Sequence, residues 1–169
     1  PWFSLINLRS PESYDTPIGF LGIKTVPPKK SLKSAQRVLF TQYRQSLNFI
    51  DKTLSTLLHN LPEDTLVIIT GVSGKVFTSN PNEVRSNMSP DNVHVPLIIH
   101  WPGNVPAKDI QYRTSHYGIA PTLLNQVLGC TNSPADYSAG RSLLQPDSQS
   151  WVYVGDNFIF GIYQNTEIT

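Results

Sequence analysis

Apolar and polar residues alternate in two different rhythms along the chain. Trp2-Phe3-Ser4-Leu5-Ile6-Asn7-Leu8 reads as a strand, and the segment RSPESYDTPIGF after it, broken by Pro11 and Pro17, reads as a loop. From about Ser34 to Asn60 the rhythm changes. Leu39, Tyr43, Leu47, Ile50, Leu54, Leu57 and Leu61 recur every three or four positions, which predicts one face of a long helix that Pro62 terminates. Thr65 to Thr70 is a short, almost wholly apolar run, the pattern of a strand buried on both faces in a mainly parallel sheet. It opens into the small-residue turn Thr70-Gly71-Val72-Ser73-Gly74.

The second half repeats this order. HVPLIIHWPG, residues 94–103, predicts another buried strand closed by Pro102-Gly103, after the polar loop TSNPNEVRSNMSPDN. GIAPTLLNQVLG, residues 118–129, predicts a compact helix with Pro121 in its first turn and Gly129 placed to end it. Residues 151–154 and 158–163 predict a hairpin turning at Asp156-Asn157. Strands and helices that alternate in this way define an α/β class, with a mostly parallel or mixed sheet flanked by helices.

Length and composition narrow the picture. A chain of 169 residues, 39% hydrophobic and 15% charged, is long enough for one domain with a core, spanning residues 1–169. Thirteen basic against twelve acidic residues give a formal charge of +1, so nothing global points to nucleic acid. The single cysteine, Cys130, permits no intramolecular disulfide and reads as a small buried thiol. No apolar run approaches the roughly 20 residues of a membrane span. The chain starts at Pro1-Trp2-Phe3 without Met and already in strand pattern, so a preceding segment is expected.

The order of YRQSLNFIDKTLSTLLHNLPEDTLVIIT, a Gly/Ser-rich turn, VPLIIHWPG and SHYGIAPTLLNQVLG resembles the C-terminal half of the sulfatase and alkaline-phosphatase superfamily. VPLIIHWPG and SPADYSAGRSLLQP, residues 133–146, carry a narrower similarity to periplasmic domains of Gram-negative inner-membrane proteins. The resemblance implies a C-terminal portion of a larger periplasmic domain, with the membrane region and the nucleophile segment lying outside this chain. It also implies an Asp-His metal-ligand pair after the central strand, and that pair falls on Val72 and Ser73. Valine has no donor atom, and a neutral serine hydroxyl is a poor ligand for Zn²⁺ or Mn²⁺. Lys75 adds positive charge two residues on.

Other family positions have drifted too. SPESY, with Glu12, stands where active members carry a histidine, and Ser89-Pro90-Asp91-Asn92 stands where glycine-histidine usually precedes the VPLII strand. SHYGIAPT resembles the family's histidine-x-aspartate segment, with Gly118 at the aspartate position. Thr70 and His116 are candidates for a polar pocket. Thr70, Ser73 and Thr78 are hydroxyls that need a base or metal to act as nucleophiles, and read otherwise as a polar turn. His59 suits the C-terminal end of the long helix, and His94 and His100, six apart on one predicted strand, read as edge or core residues.

The local charge signal lies between Thr16 and Ile50, where Lys24, Lys29, Lys30, Lys33, Arg37 and Arg44 occur with no Asp or Glu among them. This is either a solvated helix entrance or a site for anionic lipid. At about 1 kcal/mol per basic residue near an anionic surface, six supply at most about 6 kcal/mol before screening by salt. The resemblance sharpens this into an expectation. The chain reads as a catalytically degenerate domain on the periplasmic side of an inner membrane that binds or senses anionic lipid such as lipopolysaccharide or cardiolipin, with no cofactor. Its partners would be that lipid, the N-terminal part of the same protein and a regulatory membrane protein. The alternative is an active metal-dependent sulfatase, phosphatase or phosphoethanolamine-type transferase that uses residues outside this chain and a divalent metal such as Zn or Mn.

Overall fold

A computed structural model describes residues 2–22, 32–78, 88–103, 111–145, 150–155, 159–164 and 167–168. The chain resolves into two compact units, Pro1–Asn104 and Val105–Thr169.

The first unit is built on the long helix. Helix α1 is a single turn, Ser10–Ser13, with Pro11 in its opening positions, where the missing N–H is no loss. Tyr14 follows in a left-handed conformation, φ 59°, and stops it. Helix α2, Ser34–His59, runs as the periodicity predicts and ends where the Asn60 N–H turns back to the Leu57 and Leu58 carbonyls. Its apolar stripe is only half covered. Phe40 and Tyr43 pack on Phe77, with ring centroids 5.2 and 5.4 Å apart, and Phe49 packs on Phe20 at 5.4 Å. The one fully buried side chain of α2 is Ser46, whose hydroxyl donates to the Tyr43 carbonyl at 2.8 Å, so its burial leaves no polar atom unpaired.

Strands β1, Val67–Thr70, and β2, Leu97–His100, pair with each other, Val67 opposite His100 and Thr70 opposite Leu97. Between them lies a short helix, α3, Pro90–Val93. The α/β class stands, but the pairing is antiparallel, and every strand pair among the described residues is antiparallel rather than parallel. Neither strand is buried on both faces as the apolar runs predict. β1 is half-buried, and β2 alternates half-buried with exposed positions, Ile98 among the latter. Among the described residues no further strand pairs with either edge of this two-stranded sheet, and an apolar sequence does not by itself bring burial. The predicted first strand, Trp2 to Leu8, has no strand partner among the described residues, and its side chains are exposed, Phe3 and Leu5 each 86%.

The second unit holds the buried apolar side chains. A 3₁₀ turn at His116–Gly118 leads into helix α4, Ile119–Gln126, three residues shorter than predicted at its C-terminal end. Gly129, φ +64°, reverses the chain there so that the Cys130 N–H reaches the Leu124 carbonyl at 2.8 Å. Strands β3, Trp151–Gly155, β4, Phe160–Gln164, and β5, Glu167–Ile168, form an antiparallel sheet, with the predicted hairpin in place and Tyr153 opposite Ile162. The turn residues Asp156 and Asn157 lie outside the described residues. Leu143, 4% exposed, and Val152, 7%, are the buried large apolar residues among those described. Trp151, Tyr153, Phe160 and Ile162 remain exposed.

Candidate functional site

The turn after β1 is held on two sides. On one, the Thr70 hydroxyl donates to the Pro96 carbonyl at 2.8 Å, tying the end of β1 to the residue that precedes β2. Thr70 therefore serves as a strand-to-strand clasp, and its hydroxyl proton is already committed. Gly74 donates its N–H to the Asn92 carbonyl at 2.6 Å, and its Cα sits so close to the Asp91 carbonyl that a Cβ would overlap it. Glycine is required there because α3 presses its backbone against the turn.

On the other side the turn docks against the long helix. Lys75 places its ammonium 5.3 Å from the centre of the Tyr14 ring, and Tyr14 meets Tyr43 edge-on at 6.0 Å. Phe77 completes this aromatic group with Phe40 and Tyr43. Burial raises the Tyr43 phenol above its ordinary pKa, Tyr14 adds to the rise, and Lys75 opposes it. At neutral pH the group is thus an uncharged phenol beside a cation.

Between these two anchors the turn projects the residues that matter most. Val72 is 91% exposed and Ser73 is exposed as well. At the two positions where the resemblance places metal ligands there is one side chain with no donor atom and one neutral hydroxyl, with the Lys75 ammonium two residues on. This donor set does not fit Zn²⁺ or Mn²⁺. Among the described residues no group of three or more His, Cys, Asp or Glu side chains is placed to hold a metal.

His116 belongs to the second compact unit and Thr70 to the first. His116 is exposed at the start of the 3₁₀ turn, and the hydroxyl of Ser115 beside it is enclosed with no hydrogen-bond partner. Gly118, at the position where the resemblance implies an aspartate, is the N-cap of α4 and has no side chain to cap it. The structure adds a reason. A Cβ at Gly118 would overlap the Arg141 carbonyl and lie 2.9 Å from a Leu143 methyl, because the segment from Ser138 to Leu144 occupies that space.

That segment is clamped by hydrogen bonds. Thr122 Oγ1 donates to the Gly118 carbonyl at 2.7 Å and accepts from the Leu143 N–H at 2.7 Å. The Tyr112 hydroxyl donates to the Leu143 carbonyl and the Ser138 hydroxyl to the Tyr117 carbonyl, both at 2.7 Å. Gly140 fits against the Tyr117 and Gly118 backbone, where a Cβ would overlap. Sequence reasoning missed this clamp, although the pair of glycines around the turn, Gly118 and Gly140, was its visible trace.

Of the basic residues, Lys24, Lys29 and Lys30 lie outside the described residues. Lys33 is the N-cap of α2, Arg37 donates from Nε to the Leu32 carbonyl at 3.0 Å, and Arg44 lies over the Phe40 ring at 5.8 Å. His94 is not on β2 but caps the end of α3, so it and His100 do not share a strand. His59 bonds to the Ser55 carbonyl through Nδ1 at 2.6 Å in the last turn of α2, as its position predicts. Cys130 is half-buried, with Sγ 3.4 Å from Asn132 Oδ1.

No helix among the described residues is long and apolar enough to cross a membrane. The chain is 30% identical over 135 residues to the inner membrane protein YejM of Salmonella typhimurium strain LT2 and, to the same extent, to that of Salmonella typhi. The match takes in 76% of this chain and 22% of each relative, so the chain spans about a fifth of their length. The family model described as Sulfatase matches residues 23–129, a stretch that runs from the approach to α2 through both strands and the turn between them to the end of α4. The chain therefore belongs to the sulfatase family.

Proposed function

We propose that this chain is a catalytically silent sulfatase-family domain of an inner-membrane protein, working on the periplasmic side and binding or sensing anionic lipid. The observation that carries the first half is the turn at Val72 and Ser73. It stands in the expected place after β1 and presents its side chains to solvent, yet offers no donor set for a divalent metal.

The lipid half rests on charge and on the names of the relatives, which are inner membrane proteins. The N-terminal end of α2 has no acidic residue in its first turn and no side-chain cap, with Lys33 and Arg37 gathered at it. Unpaired N–H groups at a helix start favour anions, and two cations beside them add to that preference. Arg37 and Arg44 are separated by two helical turns and share a face. Phosphate groups of lipopolysaccharide or cardiolipin are the anions this arrangement suits, in keeping with a role in outer-membrane lipid balance.

Sedimentation with vesicles tests the reading. Binding to phosphatidylglycerol or cardiolipin vesicles should weaken steeply as salt rises, while neutral phosphatidylcholine vesicles stay unbound. Equal binding to both, or to neither, removes the lipid half. Turnover of aryl sulfate or phosphate esters that is lost on adding a chelator removes the silent half.

A further inference from the structure

We propose that a cleft between the segment at residues 7–10 and α2 binds the single alkyl chain of an anionic amphiphile, with Arg9 meeting its carboxylate or phosphate. The cleft is half open to solvent and has a volume of about 390 Å³. Its apolar wall comes from Leu8 on one side and from Phe49 and Ile50 of α2 on the other.

The polar groups around it divide into those already used and those left over. The Thr53 hydroxyl donates to the Phe49 carbonyl at 2.9 Å, and the Ser10 hydroxyl donates to the Asp15 carbonyl at 2.8 Å. Each turns its proton away from any ligand. Arg9 and Asn7 also line the cleft, and among the described residues neither side chain has a hydrogen-bond or ion-pair partner. An apolar trough with an arginine, Arg9, among its lining residues suits a ligand of matching build, an alkyl chain that ends in an anionic oxygen group. A guanidinium fork suits the two oxygens of a carboxylate or phosphate, and the Asn7 amide supplies a further donor. A neutral chain would leave Arg9 unpaired, and a compact anion would leave the trough empty.

This cleft is separate from the basic segment that carries the lipid proposal above. Its walls include none of Lys33, Arg37 or Arg44. Amide NMR titrations of the protein with decanoate, decyl phosphate and decanol, each kept monomeric, distinguish the two. Both anions should produce saturable shifts centred on residues 7–10 and 49–53, and decanol should bind about fivefold more weakly. That factor corresponds to about 1 kcal/mol, the upper part of the range for an exposed ion pair.

Arg9→Gln should bring both anions to the level of decanol. Leu8→Ser, a change at a solvent-exposed position checked for an unchanged circular dichroism spectrum, should weaken all three ligands. A preference for decanoate assigns a free fatty acid, and one for decyl phosphate assigns a phospholipid-derived headgroup. The proposal is overturned if decanol binds as tightly as the anions or if Arg9→Gln leaves anion affinity unchanged. Shifts centred on Lys33 and Arg37, or no saturable shift at all, also overturn it. Substituting Lys33 and Arg37 together should weaken vesicle binding without altering these titrations, so the two readings fail separately.

Discussion

Replacing Gly118 by aspartate returns to the chain the acid that the family resemblance places there, and the structure says that it will not fit. Gly118 has φ −79° and ψ −13°, a conformation open to any residue, so the substitution carries no backbone strain of its own. Aspartate at an N-cap would improve on glycine by only a few tenths of a kcal/mol. Against that gain stands the overlap of its Cβ with the Arg141 carbonyl and the 2.9 Å approach to Leu143, the least exposed large apolar residue among those described. Overpacking of this kind costs about 1–3 kcal/mol. If the Ser138–Leu144 segment withdraws to make room, the Thr122 to Leu143 and Tyr112 to Leu143 hydrogen bonds go with it, at about 1 kcal/mol each.

By either route the net loss is about 1–3 kcal/mol, which at a urea dependence of roughly 2 kcal/mol/M lowers the midpoint by about 0.5–1.5 M. Urea denaturation followed by far-UV circular dichroism measures it. Gly118→Ala, which carries the same Cβ without the charge, should fall in the same direction. Gly22→Ala is the control, because the nearest atom to its added Cβ is a Phe20 ring carbon at 3.4 Å, and its stability should stay within about 0.5 kcal/mol of the parent. An aspartate variant as stable as the parent would refute the steric reading of this position.

Three further outcomes follow from the same geometry. The Tyr43 and Tyr112 phenols are both raised by burial, so above about pH 10 the unfolded chain ionises while the native phenols hold their protons. Their contribution is fully present below that pH and is lost as pH rises through the folded values. The Tyr43→Phe, Tyr112→Phe double variant should show a flatter alkaline limb in urea midpoints, and a limb parallel to the parent's would contradict this. Thr70→Val, which removes the hydroxyl bonded to the Pro96 carbonyl, should lower stability by about 1 kcal/mol in the same assay while leaving vesicle binding unchanged. Dialysis against EDTA should leave the thermal midpoint where it is, and a fall would reveal a divalent ion holding the folded state.

What could be read in the residues, and what could not, divides along the range of the interactions involved. The stripe from Leu39 to Leu57 fixed α2 to within a residue because helical packing is set by neighbours three and four apart. Gly129 ended α4 through a backbone conformation that the residue itself favours, and the hairpin of β3 and β4 arose from two alternating runs close in sequence. Pairing direction had no such local signature. VIIT and LIIH look alike whether they run parallel or antiparallel, and an apolar run states a preference for burial without naming the layer that provides it.

The same division runs through the site. The chemistry of Val72 and Ser73 could be judged directly, since a missing donor atom is a property of the residue. The roles of Thr70 and Gly118 could not. Thr70 bonds across 26 residues to Pro96, and Gly118 is glycine because of a carbonyl contributed by Arg141. Lys75 shows the difference most plainly. Its charge in the turn was evident from the sequence, but only the fold assigns that charge to the face of Tyr14 rather than to the Val72–Ser73 tip. A turn whose cation rests on the Tyr14 ring, beside the Tyr14–Tyr43–Phe77 aromatic group, has a packing role, and that role constrains Lys75, Tyr14 and Phe77 together.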